Sequence, residues 1–194
     1  MLSERLQLKI FLEPSAHFEI EALIPVFHRF IRDRVIQEIL IDVVDYSHVP
    51  NGPGVVLIGH AADYSVGALD GALGLVYSRK RGGPGPEARL SDALHRLVYV
   101  ACLLEQEEAL KLRFKSSELS LRLTDRLHAP NDAATFESTK LEVADLLGRV
   151  YGGSASTERI PGSKEPLGLR IKSSVSPTLQ ALLERFGGPP STAS

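Results

Sequence analysis

Apolar residues recur at every second position at Leu8, Ile10 and Leu12, the period of a strand with one buried face, and Pro14 stops the run. From Ile20 the spacing changes. Ile20, Leu23, Ile24, Phe27, Phe30, Ile31 and Val35 form a stripe at helical period. Pro25 falls inside it, so the helix either kinks there or begins there, with the proline in its first turn. Arg29, Arg32 and Arg34 decorate the outside. Strand period returns at Ile39, Ile41 and Val43. The segment Pro50-Asn51-Gly52-Pro53-Gly54 then forces a turn, and Val55 to Ile58 make a second apolar run. The two runs predict a β-hairpin. A turn at Gly67 to Gly71 leads to a third strand, Ala72 to Ser78.

A basic Gly/Pro loop, Arg79 to Pro86, precedes a helix carrying Leu90, Leu94, Leu97, Val98, Ala101 and Leu104. Alternation at Leu110 to Phe114 and again over Glu118 to Leu127, with Ser116-Ser117 between, predicts a second hairpin. Asn131-Asp132 can cap a helix bearing Phe136, Val143, Leu147 and Val150, which ends at Gly152-Gly153. Two short strands follow, Thr157 to Ile160 and Leu167 to Ile171, and then a last helix, Thr178 to Phe186. The predicted order is β-α-β-β-β-α-β-β-α-β-β-α. Helices alternate with groups of antiparallel strands, so the fold class is α+β, an antiparallel or mixed sheet flanked by about four helices. Residues 1–186 are expected to form one domain and residues 187–194 a disordered tail.

One pattern recurs. Residues 38–51 read EILIDVVDYSHVPN and residues 118–131 read ELSLRLTDRLHAPN. They share Asp-x-x-His-x-Pro-Asn and the three apolar positions before it. Two related halves would account for this. So would a strand-exit device used twice, in which the Asp accepts hydrogen bonds from the N–H groups of the turn.

Composition narrows the function classes. The chain of 194 residues is 43% hydrophobic and 24% charged, with a net charge of −2. That balance supplies no field to draw nucleic acid, and there is no tryptophan. No stretch reaches the roughly 18 apolar residues that span a bilayer. Cys102, alone in its type and inside a helical apolar pattern, is expected to be a buried inert thiol in a cytoplasmic protein. The Arg79-Lys80-Arg81-Gly82-Gly83 loop matches no phosphate-binding pattern and reads as a surface connection.

The residues that can carry chemistry are Asp45, His48, His60 and Asp63, all around the central hairpin. Imidazole and carboxylate move protons and ligate divalent metals. His48 and His60 would be the nitrogen ligands of a metal. With the turn centred near Gly52, His60 is expected opposite Val44, and Asp63 near Ile41 and Asp42. The leading expectation is a soluble binding or assembly protein without catalytic activity, with self-association, a protein partner or a small-molecule ligand open. The alternative is a small metal-dependent or acid–base enzyme using those four residues. The sequence names no cofactor.

Overall fold

The structure, a computed structural model, describes residues 4–14, 19–152, 155–162 and 165–190. The first strand, β1 (Leu6–Leu12), leads to α1 (Leu23–Asp33). Pro25 lies in the first turn of α1, where backbone N–H groups have no intrahelical partner to lose. The helix stops at Arg34, which takes the left-handed conformation with φ of 52°. A four-stranded meander follows: β2 (Leu40–Tyr46), β3 (Gly54–Gly59), β4 (Ala62–Gly67) and β5 (Gly74–Arg79). Then come α2 (Arg89–Glu105), β6 (Phe114–Leu123), α3 (Ala133–Tyr151), β7 (Ala155–Arg159), β8 (Leu167–Ser173) and α4 (Leu179–Arg185).

The strands form one eight-stranded sheet in the order β2-β3-β4-β5-β1-β6-β8-β7, antiparallel at every pairing. The α+β class therefore holds, and the sheet is antiparallel rather than mixed. One face is apolar along its length, with Leu8 and Ile10 of β1, Leu57 of β3, Tyr64 of β4, Leu121 of β6 and Leu169 of β8 all buried. These residues share a single core with Phe27 of α1, Leu97 of α2, Leu147 of α3 and Leu182 of α4. Trimming one such side chain to alanine costs about 2–5 kcal/mol. On the opposite face Lys9 is only 3% exposed, and its ammonium group donates to the carbonyls of Leu69 and Ala72 in the β4–β5 connection. Phe11 lies beneath both Lys9 and Arg170 on this face.

Two elements differ from expectation. The meander has a further strand, β4, where the sequence suggested only the end of a hairpin. The second hairpin is instead one strand, β6. Ser116 and Ser117 do not turn the chain. They lie in a bulge, because Ile10 pairs with Leu119 while Phe11 pairs with Lys115. The Asp132 cap and the Gly152 stop fell where the sequence put them, and Thr178, expected inside the last helix, caps it instead. Asp132 accepts from the Thr135 N–H, Thr178 accepts from that of Ala181, and Gly152 ends α3 with φ of 69°.

The two similar segments occupy different places. Residues 40–46 form the edge strand β2, and residues 118–123 lie inside the sheet between β1 and β8. Gly187 and Gly188, expected in the tail, are held against the body. The Gly188 N–H donates to Leu183, and its carbonyl meets Nε2 of His95 at 2.6 Å. The remainder of that expected tail, 191–194, lies outside the described residues.

Candidate functional site

A cleft of about 910 Å³ opens where the α1–β2 connection meets the end of β5 and the first turns of α2. One wall is local in sequence. Ile36 is buried and anchors the connection, which places Glu38 over the β3–β4 turn. Oε1 of Glu38 accepts from the N–H groups of Ala61 at 2.8 Å and Ala62 at 2.7 Å. This carboxylate closes the turn, and Gly59 lets it approach. A Cβ on Gly59 would stand 2.7 Å from Oε1 of Glu38 and 2.4 Å from the Ala62 carbonyl. Burial raises the Glu38 pKa against the pull of those two hydrogen bonds and of the Arg96 and Lys80 charges.

The other wall comes from β5 and α2. Leu75, Tyr77 and Arg79 alternate onto the core face, so the strand ends by pushing a guanidinium inward. The Arg79 side chain is 2% exposed. It donates to Asp92, to the Tyr77 hydroxyl at 3.2 Å and to the Arg89 carbonyl at 3.3 Å. Asp92 also accepts from Nε of Arg96, one helical turn on, at 3.0 and 3.1 Å to its two oxygens. Asp92 therefore ties two arginines together at the cleft.

Arg96 and Tyr64 face each other here. Nε of Arg96 is held by Asp92, and the side chain is 12% exposed. Tyr64 is fully buried and is not among the residues that line the cleft. Burial drives its pKa well up, the Glu38 and Tyr77 charges add to the rise, and the Arg96 guanidinium facing the hydroxyl opposes it. Arg34 and Arg81 line the cleft as well, so four arginines face two carboxylates, Glu38 and Asp92.

The four residues singled out from the sequence are not gathered together. The β2–β3 register pairs Asp45 with Val55 and Val44 with Val56, and the backbone N–H of His60 donates to Ile39. His60 is thus not opposite Val44. The connection between the two strands spans residues 47–53 and centres on Pro50 rather than Gly52, and the chain turns again at once into β4. Asp45 and His48 stand at one end of the hairpin, His60 and Asp63 at the other, separated by a strand of roughly 20 Å. Asp45 accepts from the Ser47 N–H at 2.7 Å, which holds its pKa low, and His48 lies near the Tyr46 ring. Asp63 accepts from Lys80 at 2.6 Å, and His60 lines the cleft. Among the described residues no group of three or more His, Cys, Asp or Glu could hold a metal ion.

The loop read as a surface connection supplies Arg79 to the cleft and Lys80 to Asp63. Arg29 of the α1 face pairs with Glu107 of the same chain. Cys102 is buried, and its thiol is pushed up to about 11. No described helix is long and apolar enough to cross a membrane. No family model matches the chain, and no curated protein matches it at a significant level.

Proposed function

We propose that this protein is a binding protein without catalytic activity, and that the cleft between the α1–β2 connection, β5 and α2 takes a small-molecule ligand. The observation that carries the reading is the cleft itself, where Arg79, Arg96, Glu38 and Asp92 converge beside an apolar wall of Ile31, Ile36, Ile39 and Leu40. Cavities of several hundred Å³ that combine apolar walls with a few convergent polar groups are the usual form of ligand sites. The test is a small-molecule screen by ligand-observed NMR, repeated on Arg96→Lys. Hits that persist unchanged in the variant place binding elsewhere.

A second reading, assembly, is favoured by the edge strand. Ile39 and Ile41 are 71% and 59% exposed at and beside the unpaired side of β2. Light scattering across a dilution series tests it, with Ile41→Lys as the disrupting variant. An enzyme built on Asp45, His48, His60 and Asp63 would have to work with His60 and Asp63 alone at the cleft end. We place the protein in the cytoplasm and without a nucleic-acid partner, in line with its free buried cysteine and net charge of −2.

A further inference from the structure

Deepening the assembly reading, and independent of the cleft, we infer that the free edge of β2 takes an extended segment of another protein as a further strand, one with two basic side chains spaced to meet Asp42 and Asp45.

The edge is open and apolar. β2 pairs only with β3, so its other row of backbone N–H and C=O groups has no strand beside it. Val43 belongs to that row. Its N–H donates at 2.8 Å to the carboxylate of Asp42, the residue before it, and so is not engaged by β3. By the alternation of a strand, the Asp45 N–H points the same way. The register shift between Leu40 and Asp42 leaves Ile41 without a partner in β3, so the regular edge runs from Asp42 to Tyr46. Ile39, Ile41, Tyr46 and Val49 are exposed along this stretch. The other exposed large apolar side chains among the described residues, Leu73, Leu127, Leu141 and Val175, are scattered along the chain. The opposite edge of the sheet is built differently. β7 is shorter, reads Ala155-Ser156-Thr157-Glu158-Arg159 and has no large apolar side chain.

Charge chooses the occupant. From Val35 to Ser78 the chain has no lysine or arginine, and it carries Glu38, Asp42, Asp45, Asp63 and Asp70. Lys80 pairs with Asp63, and Glu38 is turned in over the β3–β4 turn. Asp42 and Asp45 accept from the Val43 and Ser47 N–H groups and have no lysine or arginine partner among the described residues. Opposite charges directly across two strands stabilise the pairing, and like charges weaken it. The β2 strand of a second copy would bring two more carboxylates and no cation. Asp42 pairs with Ile58 on the face away from the helices, and Asp45 with Val55 on the core face. The two basic residues of the partner therefore have the spacing of Asp42 and Asp45, one on each face. Between them the partner meets Val43 and Val44, which suit β-branched side chains.

The experiment uses the full chain and three end-capped, fluorescein-labelled peptides, TKVVKT, TEVVET and TTVVTT, titrated by fluorescence anisotropy. TKVVKT reads the same in both directions, so it meets Asp42 and Asp45 in either strand sense. It is expected to bind at least tenfold tighter than the other two. Asp42→Asn combined with Asp45→Asn keeps an oxygen for the Val43 and Ser47 N–H groups, removes both charges and should weaken TKVVKT about fivefold. Val43→Pro removes a free-edge donor without taking a bond from β3 and should abolish binding. Circular dichroism checks that this variant is folded, and the double Asn variant carries the test if it is not. In hydrogen exchange, the Val43 and Asp45 amides should slow at least tenfold when TKVVKT is bound.

Equal binding of TEVVET or TTVVTT overturns the basic partner. TKVVKT affinity unchanged in the double Asn variant, or edge amides that do not slow, overturns the placement on β2. If no peptide binds, the proposal falls, and the light-scattering series described above then separates two causes. Self-association lost in Ile41→Lys leaves assembly standing, with a second copy on the edge. A monomer at every concentration removes assembly as well.

Discussion

The two ends of the β2–β3 hairpin carry similar residue types and have opposite characters. At the turn end, Asp45 and His48 are exposed and locally satisfied, the carboxylate by the Ser47 N–H two residues on. At the far end, Glu38, Tyr64, Arg79 and Arg96 come from four separate elements and are buried or half-buried. Most of their polar contacts run to other elements. The difference teaches that ionisable residues close in sequence serve the turn that joins them, whereas the charged groups of the cleft are assembled by packing.

The largest effect should come from Arg79→Met. Asp92 and the Tyr77 hydroxyl would lose their buried donor, at a cost of about 3 kcal/mol in urea unfolding. That is the low end for a broken buried pair, because Asp92 keeps Arg96 and some water. A loss below about 1 kcal/mol would make the cleft end as forgiving as the turn end and erase the contrast. Gly59→Ala should cost about 2 kcal/mol, since the new methyl group meets the Ala62 carbonyl and the Glu38 carboxylate. Crystallography of that variant should show Glu38 displaced from the turn.

Glu38 also sets a pH dependence. Its folded pKa is raised above the ordinary 4.5, with burial the leading cause. The stability it contributes is therefore complete below the unfolded value and is lost as pH rises through the folded value. Glu38→Gln mimics the neutral form, so its stability relative to the parent should improve as pH rises above 4.5 and level off once the folded carboxyl has ionised. A constant difference across that range would show that burial of the charge is not what separates the two ends. His48→Ala should be the smallest perturbation, with the unfolding midpoint and the binding of the screen's hits both unchanged. A measurable loss of either would return chemistry to the turn end.

Much of the fold was legible because it rests on local rules. The strand period at Leu8 to Leu12, the stripe from Ile20, the Asp132 cap and the Gly152 stop each depend on a few neighbouring residues. β4 was hidden because its inward set, Ala62, Tyr64 and Val66, is interleaved with Asp63 and Ser65 beside a Gly-His-Ala turn, and reads as loop. Without β4, Tyr64 had no face. Ser116-Ser117 looked like a turn because the bulge opposite β1 uses the same small polar residues. The cleft was almost wholly illegible. A usable signal did exist at Arg79, which continues the buried phase of Leu75 and Tyr77 and so had to place a charge inside. Asp92 and Arg96, four apart at the start of α2, completed the hint. The pairing of Tyr64 with Arg96 is long-range packing, and no spacing announces it.

The position of β1 sets an order of events for a chain made from its N-terminal end. The first strand to emerge is the fifth in the sheet, held between β5 and β6. Gln7 reaches Ser78, 71 residues further along. At roughly 5–20 residues per second of synthesis, the strand at the heart of the molecule waits several seconds for its first neighbour, and longer for its second. The meander β2 to β5 can zip locally in that time. The arrival of β5 then recruits β1, and β6 seals it from the other side. Substitutions in β1 should therefore act on a late, slow step, whereas those in the β2–β3 turn act on an early, fast one.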